Sequence, residues 1–247
     1  MTVFARFYTL FKCGGRGQFA VLDNKTLSNI FAELNNKIRL FSSDKQIIAA
    51  LSKQDIITPK DLEAGIDIFL SIPEDKLDQW KPLLSLITSQ FLKHFERRPD
   101  KTATPILFLL DEFPRLGKIE PIVTGLTTLR SKKITIALII QSLAQLDYLY
   151  GHELRRVILD NCSYKAILGA SDAETQDYFS RLVGTVEATR EGQSINYAPD
   201  GDEEWGHTVS HHTVDQRIIQ PHEFATLRDV VMLSPWGYFR AGKIRPG

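Results

Sequence analysis

A run of five apolar residues, Ile106, Leu107, Phe108, Leu109 and Leu110, leaves no alternate position for water. Such a run predicts a strand buried on both faces, as in a parallel α/β sheet. Residues 134–140, which close on Gln141, and residues 164–168, which run into Gly169, read the same way. An earlier strand is predicted over 66–72 from Ile66, Ile68, Phe69, Leu70 and Ile72, with Pro73 ending it. Between the strands the period changes to that of a helix. Pro82 suits a first helical turn, and Leu83, Leu84, Ile87, Phe91 and Phe95 then share one face. Strands alternating with helices argue a parallel sheet with right-handed crossovers.

The ends of the chain carry different patterns. Asp23 is placed to cap a helix that buries Leu27, Ile30, Phe31, Leu34 and Ile38. Ser43 with Gln46 has the spacing of a capping box for a second short helix, and Thr58 with Pro59 opens a third that stops at Gly65. Beyond Gly169 a helix is predicted over 172–183, then a β-like hairpin or loop turning at Pro199, Asp200 and Gly201, and closing strands over 229–233 and 238–244.

With 247 residues and 43% hydrophobic content, the chain can bury a substantial core. Thirty basic residues offset thirty acidic ones, so bulk charge supplies no attraction for nucleic acid. Cys13 and Cys162 lie far apart without metal-ligand spacing, which suits free thiols in a reducing compartment. No apolar run approaches a membrane span, and Arg6 and Lys12 interrupt the N-terminus too early for a signal peptide. His207, His211 and His212 invite a metal reading, but their segment alternates like a strand and sends neighbouring side chains to opposite faces.

The chemistry concentrates at the end of the first apolar run. Asp111 and Glu112 follow Leu110 directly, at the edge where open α/β sheets bind ligands. A Walker B element has this form: the Asp reaches a magnesium ion carried by ATP, and the Glu orients the attacking water. An acidic turn after a strand is the plainer alternative. A glycosidase-like carboxylate pair is disfavoured, because adjacent residues leaving a strand point apart. Gln141 leaves the same end of its strand, where an amide contacts a γ-phosphate or caps the next helix. The sequence contains no GxxxxGK[ST], and Gly14, Gly15 and Gly17 do not replace it, since no buried strand feeds them.

The stretch DEFPRLGKI, an arginine before the next strand, that strand's ending in QSLAQL and the following YG resemble the type IV secretion coupling proteins, the TraG/TraD group of conjugation ATPases. The resemblance runs from about residue 22 to the C-terminus; the residues before it match nothing in the family. It implies a RecA-like core over 65–247 and, over 1–64, the helical end of an inserted all-α domain. It implies ATP and Mg2+ as cofactors. Asp111 would hold the metal, Glu112 would act on the water, and Gln141 would contact the nucleotide. Arg130 takes the place of a candidate arginine finger acting across a subunit boundary; sequence alone reads it as a helix C-terminal arginine. The family also implies a homo-hexamer, single-stranded DNA with a relaxase, inner-membrane secretion components, and a site in the cytoplasm or on the inner membrane's cytoplasmic face. Family members carry N-terminal transmembrane helices and a P-loop. The resemblance therefore covers a C-terminal portion, whose P-loop half would sit on a separate polypeptide. The alternative is a docking module without chemistry.

Overall fold

The computed structural model describes residues 24–53, 56–100, 104–197 and 204–242. The chain divides into two compact units, Met1–Thr58 and Pro59–Gly247. In the first, α1 (Asn24–Ser43) is followed directly by α2 (Lys45–Leu51). Asp44 makes the junction, its carboxylate accepting from the N–H groups of Gln46 and Ile47 at 2.9 and 3.2 Å. The cap is thus one residue later than the capping-box spacing predicted. Ser43 instead ends α1 with its hydroxyl donating to the Arg39 carbonyl at 2.6 Å. The apolar face of α1 is open rather than buried: Ile30, Phe31 and Leu34 are 37, 49 and 40% exposed. Helical spacing gathers apolar residues on one side but does not supply the element that covers them. Asp23 and the N-terminal segment with Cys13 and its glycines lie outside the described residues.

The second unit opens with α3 (Pro59–Glu63) and α4 (Glu74–Glu96). Pro73 precedes α4, Glu74 and Asp75 occupy its first turn, and Lys93 and His94 its last, so charge complements the helix dipole at both ends. Pro82 consequently lies inside the helix and not in its first turn. An exposed Pro there costs a hydrogen bond, but the stripe Leu84, Thr88, Leu92 and Phe95 is buried and holds the helix in place. Residues 66–72 are not a strand. Apolar alternation needs a neighbouring edge to become a ladder, and here Ile66 and Phe69 stand 54 and 88% exposed.

β1 (Ile106–Leu110) pairs in parallel with β2 (Ile134–Leu138), Ile106 opposite Ile134 and Leu110 opposite Leu138. Helix α5 (Pro121–Thr128) connects them, and α6 (Leu143–Asn161) follows β2. The main core gathers Leu92 and Phe95 of α4, Ile106 and Leu110 of β1, Ile122 of α5, and Leu146 and Ile158 of α6. β1 is covered on this face only. Leu107 and Leu109, expected to be buried on the other, are each 60% exposed, because among the described residues no helix layer lies over them.

β3 (Lys165–Ile167) lies across a groove from β2. It does not join β2 but pairs antiparallel with β6 (Asp229–Ser234), which pairs with β7 (Gly237–Gly242). A short apolar strand carries no label for parallel or antiparallel neighbours. Around this sheet a second core forms from Ile167, Ala170, Val183, Ile219, Phe224 and Val231, with α7 (Ala173–Val183) contributing its apolar side. Asp172 caps α7, its carboxylate accepting from the Thr175 N–H at 2.9 Å. β4 (Thr185–Tyr197) and β5 (Glu204–Arg217) form a long antiparallel hairpin between α7 and the closing strands. A groove of about 940 Å3 separates β2 from β3, with Leu146 and Ile158 of α6 on its wall.

Candidate functional site

The ladder between β1 and β2 continues past the strands: Ile139 donates to the Leu110 carbonyl at 3.0 Å, and Phe113 donates to the Ile139 carbonyl at 2.9 Å. Asp111 and Glu112 are therefore pinned between paired residues. Glu112 turns the chain in the left-handed region, φ 42 and ψ 46, an uncommon conformation for a residue other than glycine. A 3-10 turn, Phe113–Leu116, follows.

Buried aromatic packing fixes this turn. Phe113 is fully buried and stacks on Tyr150 with ring centres 5.8 Å apart. The Tyr150 hydroxyl accepts from the Ile119 N–H at 3.0 Å, closing the loop that began at Asp111. Burial pushes the Tyr150 phenol above its ordinary value. Gly151 follows at φ 76 and ψ 162, breaking α6 so that Tyr150 can face inward. That backbone region is essentially open to glycine alone. The residues of DEFPRLGKI and YG thus form one packed assembly behind the carboxylates.

On the solvent side, Asp111 is exposed and its carboxylate accepts from the Glu112 N–H at 2.9 Å. Gln141, just beyond β2, donates through Nε2 to the Glu112 carboxylate at 3.3 Å. Arg115 lies 2.8 Å from Glu112 and 3.2 Å from Glu74 at the start of α4. Its hydrogen bonds to Glu112 and then Glu74 raise its pKa further above the ordinary arginine value. Arg115 had no role in the sequence pattern: its spacing of three from Glu112 is visible there, whereas the contact with Glu74 arises only from the packing of α4.

Of the predicted residues, Asp111, Glu112 and Gln141 come together. Arg130 does not. It is exposed in the 3-10 turn Leu129–Lys132 ahead of β2, while Gln141 lies beyond the other end. At about 3.3 Å per residue the separation along the strand is roughly 20 Å.

A single exposed carboxylate suits magnesium, which keeps most of its water and takes one or two protein carboxylates together with phosphate oxygens. It does not suit a cage ion, and no group of three metal-ligating side chains occurs among the described residues. His211 and His212 are exposed on β5, and the side chain of His207 lies outside the described residues. No helix among the described residues is long and apolar enough to cross a membrane.

A sequence model of the family described as Type IV secretory system Conjugative DNA transfer matches residues 16–233. The chain is 31% identical to the protein VirD4 of Rhizobium radiobacter over 71% of its own length and 26% of that protein's. It is 27% identical to a probable conjugal transfer protein TraG of Sinorhizobium fredii over 83% of its length and 31% of the relative's. It thus spans between a quarter and a third of the length of these relatives. Among solved structures, the plasmid coupling protein TrwB in complex with ADP and Mg2+ shares its fold with a TM-score of 0.63 at 21% identity, covering 78% of this chain and 44% of that one. The unbound monoclinic form of TrwB gives a TM-score of 0.64, covering 78% of this chain and 45% of that one. With the match extending over most of its residues, the chain belongs to the type IV secretory conjugative DNA transfer family, the coupling proteins, and has their RecA-like α/β fold.

Proposed function

We propose that this chain carries the Walker B and sensor half of the nucleotide site of a conjugative coupling ATPase, which brings DNA or protein substrates to a secretion channel. The observation that carries the reading is the convergence of Asp111, Glu112 and Gln141 where the paired parallel strands end, Gln141 lying 3.3 Å from Glu112. Asp111 would hold the Mg2+ that arrives with ATP, which would supply neutralisation of phosphate charge there. Glu112 accepts a hydrogen bond from the attacking water, and Gln141 orients that water or the terminal phosphate. Arg130 is too far from this carboxylate pair to act on the same nucleotide. In this reading it serves a neighbouring subunit's phosphate in a hexameric ring on the cytoplasmic face of the inner membrane, with relaxase-bound single-stranded DNA as cargo.

The backbone cradle and lysine that hold phosphate come from outside these 247 residues, which contain no GxxxxGK[ST]. A second reading is a docking module that performs no hydrolysis. Turnover of Mg2+–ATP separates the two. The chain alone should hydrolyse negligibly; mixed with a coupling-protein fragment that bears the P-loop, it should gain activity that Glu112→Gln abolishes. Arg130→Ala should lower that activity when carried by the subunit opposite the P-loop. No gain with any such fragment supports the docking module, and robust turnover by the chain alone overturns both readings.

A further inference from the structure

The hairpin of β4 and β5 is a ribbon that nothing in its own chain covers. None of its described side chains is buried: Val186 and Val209 are 50 and 51% exposed, and Ala188, Ser210, Val214 and Arg217 are half-buried. A two-stranded ribbon alone in water is marginally stable, so an uncovered hairpin paired along all of β4 leaves room for a partner. The register sorts its side chains by charge. One face carries the cross-strand pairs Val186–Gln216, Ala188–Val214, Arg190–His212 and Gly192–Ser210, with no carboxylate among them. The other carries Glu187–Asp215, Thr189–Thr213 and Glu191–His211. Glu191 lies beside its own histidine, with His211 Nδ1 3.7 Å from its carboxylate. Glu187 and Asp215 differ: they stand directly opposite each other, both exposed, and neither forms an ion pair among the described residues. Like charges so placed repel, and a cation from elsewhere turns that repulsion into attraction.

The same unit carries the complementary surface. Lys93 and Arg97 are exposed at the end of α4, and Arg130 and Lys133 are exposed in and just after the turn Leu129–Lys132. Arg98 stitches these two segments together, donating to the Lys132 carbonyl at 3.1 Å, and Lys132 is paired with Asp100 at 2.6 Å. Lys93, Arg97, Arg130 and Lys133, by contrast, form no ion pair among the described residues. The balance of thirty basic against thirty acidic residues therefore conceals segregated charge. An acidic ribbon face and a basic end occur on one chain, and among the described residues no ion pair joins them within a single copy.

We propose that the acidic face of the β4–β5 ribbon docks on the basic end of a second copy of this chain, where Glu187 and Asp215 meet Arg97 and Lys133. The contact is heterologous: each copy offers a ribbon and receives one, so copies add head to tail and close into a ring where the rotation allows. The ribbon gains the cover it lacks, and the repulsion between Glu187 and Asp215 is relieved by the neighbour's cations. Being exposed and ionic, the contact is weak for one pair of copies and sensitive to salt. It does not rest on the nucleotide-site reading, and no nucleotide enters its test.

Sedimentation velocity of the full, nuclease-treated chain tests it. At low salt the sedimentation coefficient should rise with protein concentration, and roughly 0.5 M NaCl should weaken the association by about tenfold or more. Reversing the ribbon, Glu187→Lys with Asp215→Lys, should leave a monomer, and so should reversing the basic end, Arg97→Glu with Lys133→Glu. Mixing the two variants should restore association, because each ribbon then meets an end of opposite sign. Should either reversed variant fail to fold, a neutral one decides alone. Glu187→Gln with Asp215→Asn keeps the shape and removes the cross-strand repulsion, so it should slow amide exchange along the dilute, monomeric ribbon while weakening association. Slower exchange with undiminished association would show that the pair acts on the ribbon alone, and would overturn docking. A wild-type chain that stays monomeric at every concentration overturns the proposal, as does a mixture of folded, reversed variants that fails to associate. Association that nuclease treatment abolishes assigns the basic end to nucleic acid and overturns it too.

Discussion

Tyr150 holds the carboxylate turn through one oxygen, so its removal is informative. Tyr150→Phe keeps the stacking on Phe113 but leaves the Ile119 N–H buried without its acceptor. The expected loss is about 1–3 kcal/mol of stability, read from urea denaturation. The phenol adds a pH dependence. Its pKa is raised by burial above the ordinary value of 10.0, so the fold favours the neutral form. That contribution is complete below pH 10 and disappears as pH rises through the folded value. Tyr178 behaves likewise, so the difference between wild type and Tyr150→Phe isolates Tyr150, and the variant should lose less stability above pH 10. Asp111 and Glu112 were legible in the sequence because they end an uninterrupted apolar run. The hold of Arg115 on both Glu112 and Glu74 was not, since half of it depends on where α4 packs.

Among the elements, the joint between α6 and α7 is ionic. Arg155, 7% exposed, reaches Asp147 at 2.6 Å on its own helix and Glu174 at 2.5 Å on α7. The Leu143 N–H adds a bond to the Thr175 hydroxyl at 3.1 Å across the same joint. Arg155→Met retains the hydrocarbon stem and removes the charge. Because Glu174 is 54% exposed and rehydrates, the expected cost is moderate, about 1.5–3 kcal/mol. Thermal denaturation checks it, and Arg155→Lys should recover only part of the loss because an ammonium lacks the planar fork. Elements with a long period were readable: α4 and α7 lie where helical spacing put them, apart from the start of α4. Residues 66–72 were misread because alternation records which side chains are apolar, and says nothing about whether another strand is there to receive the backbone.

For the whole molecule, the α/β class followed from pattern, while the division into three sheets did not. β2 and β3 are similar apolar segments joined by a helix, and a groove lies between them. The two cores described above, one around β1 and β2 and the other around β3 and β6, share no strand-to-strand hydrogen bond among the described residues and are linked through α6, α7 and their ionic joint. Cooperative melting depends on each part losing its support when the other unfolds. A scanning calorimeter should accordingly record two overlapping heat-absorption peaks from the residues after 58, with a van't Hoff enthalpy below the calorimetric one. Arg155→Met should draw the peaks further apart, whereas a single peak with equal enthalpies would mean that the helices alone weld both cores into one melting unit.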